Sequence, residues 1–138
     1  MLGSVEYAWM CSPSYLNAPR EMALKDITGH TIIEQAHESG LGDIIGTWLA
    51  AHGVTLNRSI VSSNLTALEA LTLSGLGLSY LPRQAMAPLI AAGRLNVLRT
   101  DPPLPRIPYV SMMQKTSDDD FLRFVSSAAL SICDFSRL

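Results

Sequence analysis

The residues best suited to chemistry lie between positions 34 and 46. Gly40-Leu41-Gly42-Asp43-Ile44-Ile45-Gly46 spaces its glycines as GxGxxxG between an apolar run and a helical pattern. Such a loop can bring a pyrophosphate against the N–H groups of a helix start. Asp43 opposes that use by setting a negative charge where a phosphate would lie, and the strand that should end in a ribose-binding acid ends in Ser62-Ser63-Asn64. The plainer reading is that Gly40 and Gly42 permit a tight turn and Gly46 permits close packing. His37-Glu38-Ser39 offers an acid-base group beside a hydroxyl. Sequence neighbours rarely point at one atom, however, and no second His with a partner acid completes a triad. Glu34, His37 and Glu38 carry metal-ligating atoms that a strand or loop would not naturally converge. HExxH, Walker and GxSxG motifs are absent from the sequence. We therefore expect no catalytic residue, no metal site and no cofactor.

The elements that must position these residues are legible from periodicity. Thr31-Ile32-Ile33 is a short buried strand running to Gln35, and Ala36 to Gly42 reads as a loop. Ile44, Ile45, Trp48 and Leu49 then recur at helical spacing from Asp43 to His52, with Gly53 as the stop. Arg58 to Ser62 is the next strand. Leu65, Leu68, Leu71 and Thr72 mark a helix that Ser62-Ser63-Asn64 can cap and Gly75 can end. Leu76 to Leu81 reads as a buried strand, and Pro82 suits the first turn of a following helix that Pro88 divides. Connections this short between strands and helices imply parallel pairing. Elsewhere, Val5, Tyr7 and Trp9 alternate as a strand, 17–21 is a polar loop, 23–28 holds one helical turn and Leu95 to Leu98 is a strand. The proline-rich run Asp101 to Pro108 is a stiff connector, and Tyr109 to Met113 reads as a strand. Ser117-Asp118-Asp119-Asp120 begins a helix whose apolar stripe is Phe121, Phe124, Val125, Ala128 and Ile132.

In a parallel sheet, ligands collect beyond the carboxyl ends of the strands. Here those ends are Gln35 to Gly42 and Ser62 to Leu65, each followed by a helix start with unsatisfied N–H groups. Gln35, His37, Ser39, Gly40, Leu41, Ser62, Ser63 and Asn64 are thus the candidate binding residues, suited to a small polar or carboxylated molecule. For Ser62 to Asn64 the competing reading is helix capping alone.

Composition narrows the class. The chain has 138 residues, 48% of them hydrophobic and 16% charged, enough for one packed domain or slightly more. A net charge of −2, with ten basic residues scattered, argues against a direct grip on a phosphate backbone. No apolar run is long enough for a bilayer, and Met1-Leu2-Gly3-Ser4 lacks the features of a signal peptide, so a cytoplasmic protein without membrane contact is expected. Cys11 and Cys133 have no CxxC partner and are expected to be buried free thiols.

The run Leu68 to Pro82, in outline ALxxxSGLGxxxLP, resembles the effector-binding domain of LysR-type transcriptional regulators. Leu2-Gly3-Ser4-Val5-Glu6-Tyr7-Ala8-Trp9 with Ser12-Pro13, then Leu24-Lys25-Asp26-Ile27-Thr28-Gly29-His30, Ala92-Gly93-Arg94-Leu95 and Pro108-Tyr109 follow in the family's order. The resemblance implies an α/β fold of the periplasmic-binding-protein type: a Rossmann-like parallel-sheet subdomain over 11–107, a crossing strand over 1–10 and a return segment over 108–138 of an incomplete second subdomain. It places hinges at Met10, Cys11, Pro108 and Tyr109, and a small-molecule effector in the cleft between subdomains. It further implies a homodimer or homotetramer that meets promoter DNA only through a winged helix-turn-helix lying outside this sequence. A periplasmic-type solute-binding protein shares the fold and is the first alternative. A nucleotide-dependent enzyme using Gly40 to Gly46 is the second.

Overall fold

A computed structural model describes residues 2–17, 21–36, 38–112 and 120–134. In chain order its elements are β1 (Gly3–Val5), β2 (Tyr7–Cys11), β3 (Glu21–Ala23), a 3-10 segment (Leu24–Gly29), β4 (Ile32–Gln35), α1 (Gly40–Ala51) and β5 (Ser59–Ser62). There follow α2 (Leu65–Leu73), β6 (Leu78–Pro82), α3 (Ala87–Ala91), β7 (Asn96–Asp101), β8 (Ile107–Tyr109) and α4 (Asp120–Ile132).

Six strands form one sheet in the order β3-β7-β2-β6-β4-β5, and β1 pairs with β8 in a separate two-stranded ribbon. As the short connections require, β4 pairs in parallel with both β5 and β6. β2 runs the other way between β6 and β7, so the sheet is mixed. Alternation along the strands divides the core in two. Trp9, Ile32, Leu78 and Tyr80 face α1 through Ile45 and Leu49, while Met10, Ile33 and Leu81 face Leu68 of α2 and Met86. Burial on both faces explains why these strands read as continuous apolar runs. Each fully buried large side chain contributes roughly 1.5–3 kcal/mol relative to exposure.

Several local expectations shift once the partners are visible. Helix α1 begins at Gly40, three residues before Asp43, because Ser39 is its cap and accepts a hydrogen bond from the Gly42 N–H. Pro82 closes β6 instead of opening a helix, and Pro88 lies in the first turn of α3 instead of dividing a longer one. At that position the missing N–H costs nothing. Gly75 ends α2 with φ +75, as its place in the sequence required. Glu21, expected in a loop, starts β3, a three-residue edge strand. The last strand of the ribbon is Ile107–Tyr109, earlier than the expected 109–113. Glu6 separates β1 from β2, so the opening strand is two strands.

Helix α4 presents its apolar stripe outward, with Phe121 69%, Phe124 71% and Ile132 76% exposed. The expected cap at Ser117 to Asp119 falls outside the described residues. Among the described residues, no helix is long and apolar enough to cross a membrane. Cys11 is buried as expected, but Cys133 is exposed.

Candidate functional site

The parallel register pairs Gln35 of β4 with Ser62 of β5, so both strands end at the same rim. The Ala36 N–H donates to the Ser62 carbonyl at 3.3 Å and stitches the two exits together. Each exit turns at once into a helix. On the first, the Ser39 hydroxyl donates to the Ala36 carbonyl at 2.8 Å and accepts from the Gly42 N–H at 3.1 Å. On the second, Asn64 Oδ1 accepts from the N–H groups of Thr66 and Ala67 at 2.8 and 3.4 Å, while Ser62 Oγ accepts from the Asn64 N–H at 3.2 Å.

These bonds sort the candidate residues. Ser39, Ser62 and Asn64 hold the turns and helix starts, so for them the capping role is observed directly. Ser63 is exposed, and its hydroxyl makes no hydrogen bond among the described residues. Gln35 is half-buried at the tip of β4 and presents an amide that can both donate and accept. Gly40 is exposed at the start of α1, and Leu41 packs partly into the α1 core. His37 lies outside the described residues. A Cβ on Gly42 would stand 2.6 Å from the Ala36 carbonyl oxygen, so this glycine lets α1 press onto the end of β4. Its N–H is already taken by Ser39, which leaves the GxGxxxG run serving packing and not the cradling of a phosphate.

Tyr80, which the sequence presented only as part of a buried strand, belongs to this rim. Its hydroxyl accepts from the Gln35 N–H at 3.1 Å, and its ring meets Trp9 edge-on with centroids 5.6 Å apart. Burial pushes the phenol up to about 12, the Gln35 N–H pulls it partly back, and nearby Glu34 raises it further. Glu34 is itself buried, on the same face of β4 as Ile32. The phenol of Tyr80 in the buried run Leu78 to Leu81 was the available signal, because a buried Tyr usually directs its O–H to a partner.

Tyr7 opens β2 opposite Pro82, at the same rim. Its hydroxyl lies 3.3 Å from that of Tyr109 in β8, a contact between sheet and ribbon. Burial, Tyr109 and Tyr80 all raise the Tyr7 phenol well above its ordinary value, so it is neutral near pH 7. Of the residues expected at hinges, Pro108 and Tyr109 lie in the ribbon. Met10 and Cys11 do not: both are fully buried in β2, Met10 paired with Ser79 and Val97 and Cys11 with Asn96.

Comparison with known proteins agrees with this architecture. The family described as the LysR substrate binding domain matches residues 1–123. The HTH-type transcriptional regulator CbbR of Rhodospirillum rubrum is 28% identical over 79 residues, 57% of this chain and 26% of that protein. The regulatory domain of NMB2055 (MetR) from N. meningitidis superposes with TM-score 0.73 at 19% identity, covering 94% of this chain and 61% of that one. That of HypT from Salmonella typhimurium in its apo form gives 0.67 at 22%, covering 95% and 64%. The effector binding domain of QuiR in complex with shikimate gives 0.65 at 18%, covering 98% and 61%. The chain therefore spans about a quarter of the curated relative and under two thirds of these solved chains. With the family matched over nearly its whole length and the same fold found in solved regulatory domains, the chain belongs to the LysR substrate-binding domain family.

Proposed function

We propose that this chain is the larger part of an effector-sensing domain of a LysR-type transcriptional regulator. It binds a small polar or carboxylated metabolite at the rim formed by Gln35 to Leu41 and Ser62 to Asn64. The observation that carries the reading is the shared rim: two parallel strands end side by side, tied by the Ala36 to Ser62 bond, and each feeds a helix N-terminus. The positive ends of two helices lie at this one rim, one from each face of the sheet, and favour a negative group, and Gln35 and Ser63 add neutral polar contacts. His37 belongs to the same proposed set by its place in the sequence.

The proposed signal is conformational. The sheet and the ribbon meet at Glu6 and around Pro108 and Tyr109, and we place the flexible crossings there; the ladder bonds and burial of Met10 and Cys11 favour Glu6 on the first pass. A ligand that favours one relation between the parts shifts the population of that relation. In a homodimer or homotetramer, the shift would change how winged helix-turn-helix domains elsewhere in the regulator meet promoter DNA. Binding, not turnover, is the role assigned to the site, and a cytoplasmic location follows from it.

A thermal-shift series with organic acids and NAD(P) tests the reading. Organic acids should raise the melting temperature, since a ligand at one hundred times its Kd stabilises by about 2.7 kcal/mol. Gln35→Ala and Ser63→Ala should weaken that binding by about three- to tenfold while leaving the unliganded melting temperature nearly unchanged. Stabilisation by NAD(P) alone would overturn the assignment. Equal affinity in both variants would remove those two residues from the site.

A further inference from the structure

The strand-end rim does not stop at β4 and β5. Tyr80 holds the backbone of Gln35 and lies near enough to Tyr7 to raise the cost of ionising it, and Tyr7 meets Tyr109 at 3.3 Å. A line of phenols thus runs from the tip of β4 to the ribbon. The Tyr7 to Tyr109 contact is on the surface, and Tyr109 is 39% exposed, so a molecule in the rim can reach it.

The separation carries chemical meaning. At 3.3 Å it is long for an O–H···O bond, whose usual length is about 2.7–2.8 Å. Two hydroxyls that far apart can both approach one acceptor oxygen at about that ordinary distance, which is the geometry of a two-point grip. Burial keeps the Tyr7 phenol uncharged near neutral pH, so it presents a donor to an anion without repelling it. Hydrogen bonds to a charged acceptor are roughly twice as strong as neutral ones. Tyr7 belongs to the sheet and Tyr109 to the ribbon, so an oxygen held by both bridges the two parts.

We propose that the Tyr7 and Tyr109 hydroxyls together grip one oxygen of a carboxylated ligand bound at the rim, and so connect that ligand to the ribbon. This rests on the strand-end site proposed above. It adds a recognition element on the far side of that site and assigns the ligand a carboxylate.

The sequence contains four tyrosines, which makes the test direct. Tyrosine ring signals of the 138-residue chain, assigned by Tyr→Phe variants, are followed by NMR together with backbone amides. Sodium shikimate and sodium benzoate are titrated in, each alongside its methyl ester. The expected result is a saturable movement of the Tyr7 and Tyr109 rings with a salt and not with its ester. Tyr15, which bonds to His30 and Thr31 at the other end of β4, should stay in place. Tyr109→Phe should weaken binding about tenfold. Movement of the Gln35 and Ser63 amides with both rings still, or affinity in Tyr109→Phe within about twofold of the parent, overturns the phenol grip and leaves the rim site standing. Movement of neither rings nor amides with any of the four compounds overturns both.

Discussion

At the scale of single residues, two buried acids are held neutral by the fold. Tyr80 is pushed from 10.0 to about 12, chiefly by burial, and Cys11 from 9.0 to about 11, again by burial, against a lowering hydrogen bond with the Leu16 backbone. The unfolded chain releases these protons first. Below about pH 9 both states hold them and stability is insensitive to pH through these groups; between about pH 9 and 12 it falls as pH rises, and above that range the loss is complete. Urea unfolding at pH 8, 10 and 11 should record the decline. Tyr80→Phe should flatten its upper part, and an unchanged slope in that variant would assign the decline to other groups. Residue roles set by neighbours in sequence were legible in advance: Gly75 at a helix end, Ser62 to Asn64 as a cap. The bond from the Gln35 N–H to Tyr80 was not, because 45 positions separate them and only the sheet order brings them together. The commitment of Ser39 to its own helix, against a role open to ligand, was equally invisible without the position of Gly42.

At the scale of elements, the caps and stops make the sharpest forecasts. Asn64 satisfies two N–H groups of α2, so Asn64→Ala should cost about 1 kcal/mol in chemical denaturation. A loss below about 0.3 kcal/mol would mean that water replaces the side chain fully. Gly75→Val should cost well over 1–2 kcal/mol, because φ is +75 and the new Cβ would stand 2.6 Å from Ser14 Oγ. An unchanged melting temperature would contradict it. Helices and buried strands between residues 32 and 82 were readable because each holds a period and a terminator. Errors fell where one residue type serves two ends. Pro82 and Pro88 both fit a helix start by type, but Pro82 is buried and ends β6, so only Pro88 takes that place. β3 escaped notice because three residues carry no period, and its pairing with β7 alone defines it as a strand.

At the scale of the whole molecule, the outward face of α4 contributes little to the fold of this chain. Phe121→Lys with Phe124→Lys should therefore leave stability within about 0.5 kcal/mol of the parent. Sedimentation at rising concentration should show less self-association in the double variant, since two large apolar side chains leave the surface. A large drop in melting temperature would instead place that face against the sheet. Order along the chain was legible as a family likeness, whereas the break between the first two strands was not. The run from Val5 to Trp9 alternates without a visible break, and only the differing partners of β1 and β2 reveal one at Glu6. The ribbon has one more consequence. Because the Leu2 N–H reaches the Tyr109 carbonyl at 2.7 Å, the chain enters and leaves the six-stranded unit through a single doorway. Residues 3–109 can therefore be spliced as a cassette into a surface loop of an unrelated host, which need only offer two adjacent attachment points.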